Sequence, residues 1–199
     1  MKLFYSPGSP YARIARIMIR ESGLAAETIE VLAANRRPDN PVLEYSAVGR
    51  VPTLIDGDLT ITEVRHVYDY LASKSRSAPI PHPEYLTWRE ICQEGQILGF
   101  LEGIASWVRE NRRELHLRSD FLVRVETERS KRCLAYLESE VDKKRLPDFP
   151  VFRSIALAAG LGLMEFQQLK PDWRAIHPAL AAWYDRHGNR ASMQDTLPT

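Results

Sequence analysis

Lys2-Leu3-Phe4-Tyr5-Ser6-Pro7-Gly8-Ser9-Pro10-Tyr11-Ala12 opens the chain with a short apolar run, a turn and the start of a helix. Residues 2–5 have strand character and Ser6-Pro7-Gly8 is turn chemistry. Ser9 before Pro10 reads as an N-cap with proline at the first helical position. Beyond it Ile14, Ala15, Ile17 and Met18 form an apolar stripe, while Arg13, Arg16 and Arg20 fall on the opposite face, which predicts a helix over 10–22. Ser9 thus stands where backbone N–H groups lack partners and the helix dipole is positive, a seat suited to an anion such as a thiolate. A plain capping role accounts for the same serine.

A second segment, Gly49-Arg50-Val51-Pro52, precedes the strand-like Thr53-Leu54-Ile55, and Pro52 suits a cis turn there. Up to about residue 75, strand-like runs at 2–5, 28–32, 53–55 and 59–62 alternate with helical patterns at 10–22, 40–46 and 63–73, so this part is an α/β layer structure. Asp56-Gly57 marks a hairpin and Thr62 is the simplest N-cap for the helix after it. Residues 73–83 hold Pro79, Pro81 and Pro83 among small polar residues and read as a linker. The expected organisation is an α/β domain over 1–75, a linker over 76–84 and an all-α bundle over 85–199. Its helices are predicted at 84–111, 119–143, 152–169 and 178–187. The third of them is apolar on every face and belongs at the centre of the bundle.

With 199 residues, 44% hydrophobic and 27% charged, the chain can bury a real core. A formal charge of +1 with interspersed signs offers no basic surface for a phosphate backbone, so a nucleic-acid partner is not expected. The longest apolar stretch, 155–164, is about half of the ~20 residues needed to span a bilayer, and the start of the chain lacks a secretory leader. A cytoplasmic protein without a membrane partner is the expectation. Cys92 and Cys133 form no CxxC and read as small buried hydrophobes. His66, His116 and His187 show no ligand spacing, so no metal is expected.

Ser-Pro-Tyr at a helix start, Gly-Arg-Val-Pro before a strand, Thr62-Glu63 opening the next helix and an all-helical second half occur here in one order. With them come Asp172-Trp173-Arg174 and His177-Pro178-Ala179-Leu180-Ala181-Ala182-Trp183-Tyr184 near the end of the chain. This set resembles the cytosolic glutathione S-transferases, bacterial members with a serine-type active site in particular. The resemblance implies a thioredoxin-like N-terminal domain, a helical C-terminal domain, glutathione as co-substrate, a small hydrophobic electrophile as partner and a homodimer. The implied activity is conjugation in detoxification.

It also implies roles. Ser9 would donate its hydroxyl to the glutathione sulfur. A charge-assisted hydrogen bond of about 1.5–3 kcal/mol plus ~0.3–1 kcal/mol from the helix terminus would bring a thiol of pKa ~8.5 to ~6–7. Val51, ahead of Pro52, would pair with the peptide backbone, and Glu63 would take the γ-glutamyl ammonium. Glu63 read alone is an ordinary acid at a helix start. Where the family has Glu-Ser, this chain has Glu63-Val64, leaving only the Val64 N–H for the ligand's α-carboxylate. The loss of one such bond, about 1.5–3 kcal/mol, predicts glutathione binding weakened roughly 10–100-fold. The alternative is a non-catalytic scaffold or interaction protein of the same family. A second departure is Val151-Phe152-Arg153-Ser154, where the family has a Ser/Thr-x-x-Asp box, with Ser154 able to recover one bond in a shifted register.

Gly95, Gly99 and Gly103 recur at every fourth position of the first long bundle helix, each costing ~1 kcal/mol against alanine. Either a backbone packs close along this stripe or the gap leaves room for a ligand. In the family this helix borders both the dimer interface and the acceptor pocket. Tyr11, Phe100 and Trp107 are candidates to line that pocket, with simple core packing as the other reading. Arg50 lies in the turn, and Asn35, Arg36 and Arg37 stand either at the glycyl carboxylate or in a solvated loop.

Overall fold

A computed structural model describes residues 1–33, 37–77, 86–170 and 172–199. Strand β1 (Lys2–Tyr5) runs parallel to β2 (Ile29–Leu32), with Leu3 opposite Glu30, and the crossover between them is helix α1 (Pro10–Glu21). β3 (Thr53–Asp56) is antiparallel to β1, and a two-residue turn at Gly57-Asp58 returns it as β4 (Leu59–Thr62), giving the order β2-β1-β3-β4. Helix α2 (Val64–Ser73) follows, and this mixed sheet with its helices is a thioredoxin-like layer.

The expected helix at 40–46 is a single 3-10 turn, Pro41–Glu44. Asn40 accepts a hydrogen bond from the Val42 N–H at 3.1 Å and donates to the Gly49 carbonyl at 3.4 Å, bonds that favour a tight loop over a regular helix. A second correction concerns Thr62, which is the last residue of β4. The N-cap of α2 is Glu63, without a side-chain capping bond.

The rest is helical: α3 (Trp88–Asn111), α4 (Asp120–Asp142), α5 (Phe152–Phe166), α6 (Trp173–Ile176), α7 (Pro178–Gly188) and α8 (Ala191–Gln194). Thr87 and Glu90 form a reciprocal capping box that sets the start of α3 later than the pattern predicts, and residues 78–85, with most of the expected linker, lie outside the described residues. Every residue of α5 from Phe152 to Met164 is buried, as its apolar sequence predicts for a central helix. Ser154 Oγ accepts from the Val151 N–H at 3.2 Å, so the returning half of a capping box survives in the shifted register.

One apolar cluster joins both halves. It runs from Leu3 and Leu54 of the sheet through Ile14 and Met18 of α1 and Val67 of α2 to Leu101 of α3 and Leu157 of α5. Helix α1 packs on α5 with its stripe, yet its arginine face is not open to solvent. Arg16 and Arg20 both reach Glu30 of β2, at 2.7 and 2.5 Å. Arg13 is buried and donates from Nη2 to the Met193 carbonyl of α8 at 3.2 Å. Arg190 holds Glu21 through two bonds of 2.8 and 2.7 Å, with Ser192 adding a third. The amphipathic pattern of α1 left this side to water; α8 and the ion pairs roof it instead. Among the described residues no helix is long and apolar enough to cross a membrane.

Candidate active site at the head of the first helix

The turn after β1 is closed by the Ser9 N–H donating to the Ser6 carbonyl at 3.1 Å. Ser9 has extended backbone, φ −92° and ψ 115°, and its Oγ accepts from the Ala12 N–H at 3.2 Å, as an N-cap should. That bond uses an oxygen lone pair only. The hydroxyl hydrogen is uncommitted among the described residues, and Ser9 is half-buried at the rim of the domain.

The opposing loop is built by Asn40, Gly49 and Thr53. Gly49 has φ 62°, and a Cβ there would lie 2.7 Å from Leu43 Cδ2, so only glycine fits. Thr53 Oγ1 donates to the Arg50 carbonyl at 2.7 Å, and the Val51–Pro52 bond is cis. Val51, buried, shares a small core with Phe4, Ala12, Ala33 and Val42. The two segments singled out in the sequence therefore share one small core, to which one contributes Ala12 and the other Val51.

Glu63 completes this wall in an uncommon conformation, φ 63° and ψ 125°, with its carboxylate exposed. A non-glycine residue held there costs about 1–3 kcal/mol, a kind of strain that gathers at binding sites. Nothing in the sequence signals it. Val64 begins α2 with a free first-turn N–H, while its side chain turns away into the main core at 9% exposure.

Tyr11 links this corner to the bundle. Burial raises its phenol above the ordinary tyrosine range; the Glu102 and Glu63 carboxylates push the same way, and Arg109 and Arg50 oppose them. The phenol therefore senses charges from the turn, from the head of α2 and from α3 at once. Glu102 and Arg109, seven residues apart on one exposed face of α3, are the bundle charges that reach it. They were not among the sequence candidates, although that spacing was a readable signal. Arg50 is exposed at the mouth.

The remaining candidates divide. Trp107 and Phe100 stand in the main core at 7% and 1% exposure. Gly99 is half-exposed, and a Cβ there or at exposed Gly95 would meet nothing within 4 Å, whereas one at Gly103 would lie 2.7 Å from Glu126 Oε2 and 3.2 Å from Arg129 Cδ. The stripe thus packs closely at one end and is open at the other. Arg37 is exposed; Asn35 and Arg36 lie outside the described residues. Cys92 and Cys133 are free thiols, but Cys92 is exposed and Cys133 half-buried, so neither is the fully buried hydrophobe the sequence suggested; no group of three metal-ligating side chains occurs among the described residues.

Residues 3–79 match the family described as glutathione S-transferase, N-terminal domain. An uncharacterized GST-like protein, YibF, of Escherichia coli strain K12 is 27% identical over 203 residues, spanning 100% of this chain and 98% of its own. A glutathione S-transferase of Methylobacillus flagellatus KT, solved with glutathione bound, superposes with a TM-score of 0.88 at 27% identity, covering 100% of this chain and 99% of that one. A glutathione transferase family member of Pseudomonas fluorescens Pf-5, with bound S-(propanoic acid)-glutathione, does so with 0.85 at 26% identity and full coverage of both chains.

Proposed function

We propose, from the premise that this chain belongs to the glutathione S-transferase family, that it holds glutathione at the head of α1 and transfers the sulfur to small hydrophobic electrophiles. The observation that carries the reading is the Ser9 hydroxyl, whose oxygen caps the helix while its hydrogen is left for a ligand, beside the buried Val51 turn. Ser9 donates to the sulfur and, with the positive end of α1, favours thiolate without a general base. The Val51 backbone pairs with the cysteinyl part of the tripeptide as a strand edge would. The Glu63 carboxylate takes the ammonium, and the Val64 N–H takes the α-carboxylate. Arg50 and Pro52 border the tripeptide. The acceptor lies toward Tyr11 and the open Gly99, with the edge of Trp107 behind them.

The missing hydroxyl at Val64 makes the grip weak. Calorimetric titration should give a glutathione dissociation constant well above the low micromolar range, accompanied by measurable turnover of a chromogenic aryl halide. A low-micromolar constant would overturn the weak-binding part. Absence of both binding and turnover, in wild type and Ser9→Ala alike, would favour the second reading, a scaffold that has kept the fold and lost the chemistry, which the same Val64 recommends.

We further infer two units, 1–75 and 85–199, and a homodimer formed through α3. Trp88, Ile91 and Gly95 share one face of that helix and are exposed, Trp88 at 80%, an apolar patch with room for a close neighbour. Sedimentation should show a dimer that Trp88→Glu converts to monomer; a monomeric wild type would dismiss it. The free thiols of Cys92 and Cys133 accord with a cytoplasmic setting.

A further inference from the structure

The end of α3 carries two arginines to the turn that precedes Ser9. Trp107 and Val108 are buried and anchor the last turns of this helix in the main core, which leaves Arg109 and Arg112, one turn apart, exposed on a shared face. Arg112 reaches across to the turn between β1 and α1, where a Cβ at Gly8 would lie 3.4 Å from its Nη2 and 4.0 Å from its Nη1. Gly8 adjoins Ser9, so a guanidinium stands one residue from the hydroxyl assigned to the sulfur.

Neighbouring arginines at this end of the bundle are committed elsewhere. Arg113 faces Glu110 at 3.6 Å, and Arg118 donates from Nε to the Arg113 carbonyl at 2.9 Å. Among the described residues Arg112 makes no side-chain hydrogen bond or ion pair, and Arg109 donates only to Ser106 Oγ, at 2.9 Å. The carboxylates that act on Tyr11 are Glu102 and Glu63. Glu63 serves the ligand ammonium in the reading above, and Glu102 lies ten residues before Arg112, about 15 Å back along the helix. The approach to Ser9 from α3 is therefore cationic.

We propose that Arg112, with Arg109 beside it, selects acceptors that carry an acid group: organic halides whose carboxylate sits on the guanidinium while the carbon bearing the halogen faces the sulfur at Ser9. The proposal deepens the glutathione-transfer reading and rests on it for the reaction. In that step the sulfur anion forms a bond to the carbon and the halide leaves with its bonding pair. The thiol proton has already gone to water. A guanidinium fork matches a carboxylate with two parallel bonds, and its charge offsets the repulsion between an anionic acceptor and a thiolate.

Paired acceptors test it: 4-chloro-3,5-dinitrobenzoate and 4-chloro-3,5-dinitrobenzamide, each enzymatic rate divided by the rate with glutathione alone. The acid should be preferred about tenfold in kcat/KM, chiefly through KM, and high salt should remove most of that preference. Arg112→Gln should abolish the preference, Arg109→Gln should reduce it, and Arg112→Lys, which keeps the charge without the fork, should retain part. Calorimetry with 3,5-dinitrobenzoate, which has no leaving group, reads the acid site without turnover; Arg112→Gln should weaken its binding about tenfold. That loss of binding, with neither chloride turned over by wild type, would count against the transferase reading and still support the acid site. An equal or greater preference for the amide, an unchanged preference in Arg112→Gln, no binding of 3,5-dinitrobenzoate to wild type, or a weakened affinity for glutathione in place of the acid would each overturn the proposal.

Discussion

Ser9→Ala should lower glutathione-dependent turnover roughly 50-fold at pH 6.5 and less than twofold at pH 9. With the serine donor a bound thiol of pKa ~6.5 is about half ionised at pH 6.5, and without it a thiol of ~8.5 is about 1% ionised. Both are largely thiolate at pH 9, so the deficit closes as pH rises. The same oxygen caps α1 through the Ala12 N–H, and its loss also costs about 1 kcal/mol of stability. Ser9→Asp separates the two effects. It keeps an acceptor for the cap, so the fold should hold, yet it sets a carboxylate beside the sulfur and should be slower than the alanine variant at every pH. Superimposable pH–rate profiles for wild type and Ser9→Ala would remove Ser9 from the chemistry.

Val64→Ser should tighten glutathione binding about 10–100-fold, the worth of one hydrogen bond to a charged group. The structure adds an opposing effect on stability. The valine side chain is packed in the main core, so exchanging it for a hydroxyl should cost about 1–2 kcal/mol in lost apolar burial. Tighter binding with a lower melting temperature is the expected signature, read by calorimetry and thermal unfolding on one preparation. An unchanged dissociation constant would mean that the serine hydroxyl cannot reach the ligand from this helix start, and the weak-grip account would fall with it.

Much of the architecture was legible because local chemistry and tertiary fit agree. Ser9-Pro10 starts α1 where a cap and a proline should, the turn at Gly57 closes its hairpin, and α5 is buried on all sides as its composition demands. Short elements escaped. The four residues of α6 and of α8 carry too little periodicity to register, and the loop at 40–46 is decided by Asn40 side-chain bonds rather than by pattern. At the site, the shared core of Ala12 and Val51 follows from the sheet order, whereas the positive φ of Glu63 is a tertiary constraint with no sequence mark. The burial of Arg13 was not legible for a related reason. Helical periodicity tells which face is polar and says nothing about what a distant segment lays over it.

The roof over α1 also sets a schedule for synthesis. Arg190 and Glu21, which fasten it, are 169 residues apart. A ribosome adding about 5–20 residues per second spends roughly 10–35 s between making one and the other. Through that interval the helix that carries Ser9 lies open along one side, with Glu21 and Arg13 awaiting their partners, so the nascent chain presents its unfinished face to chaperones until the segment that carries Arg190 and α8 has been made.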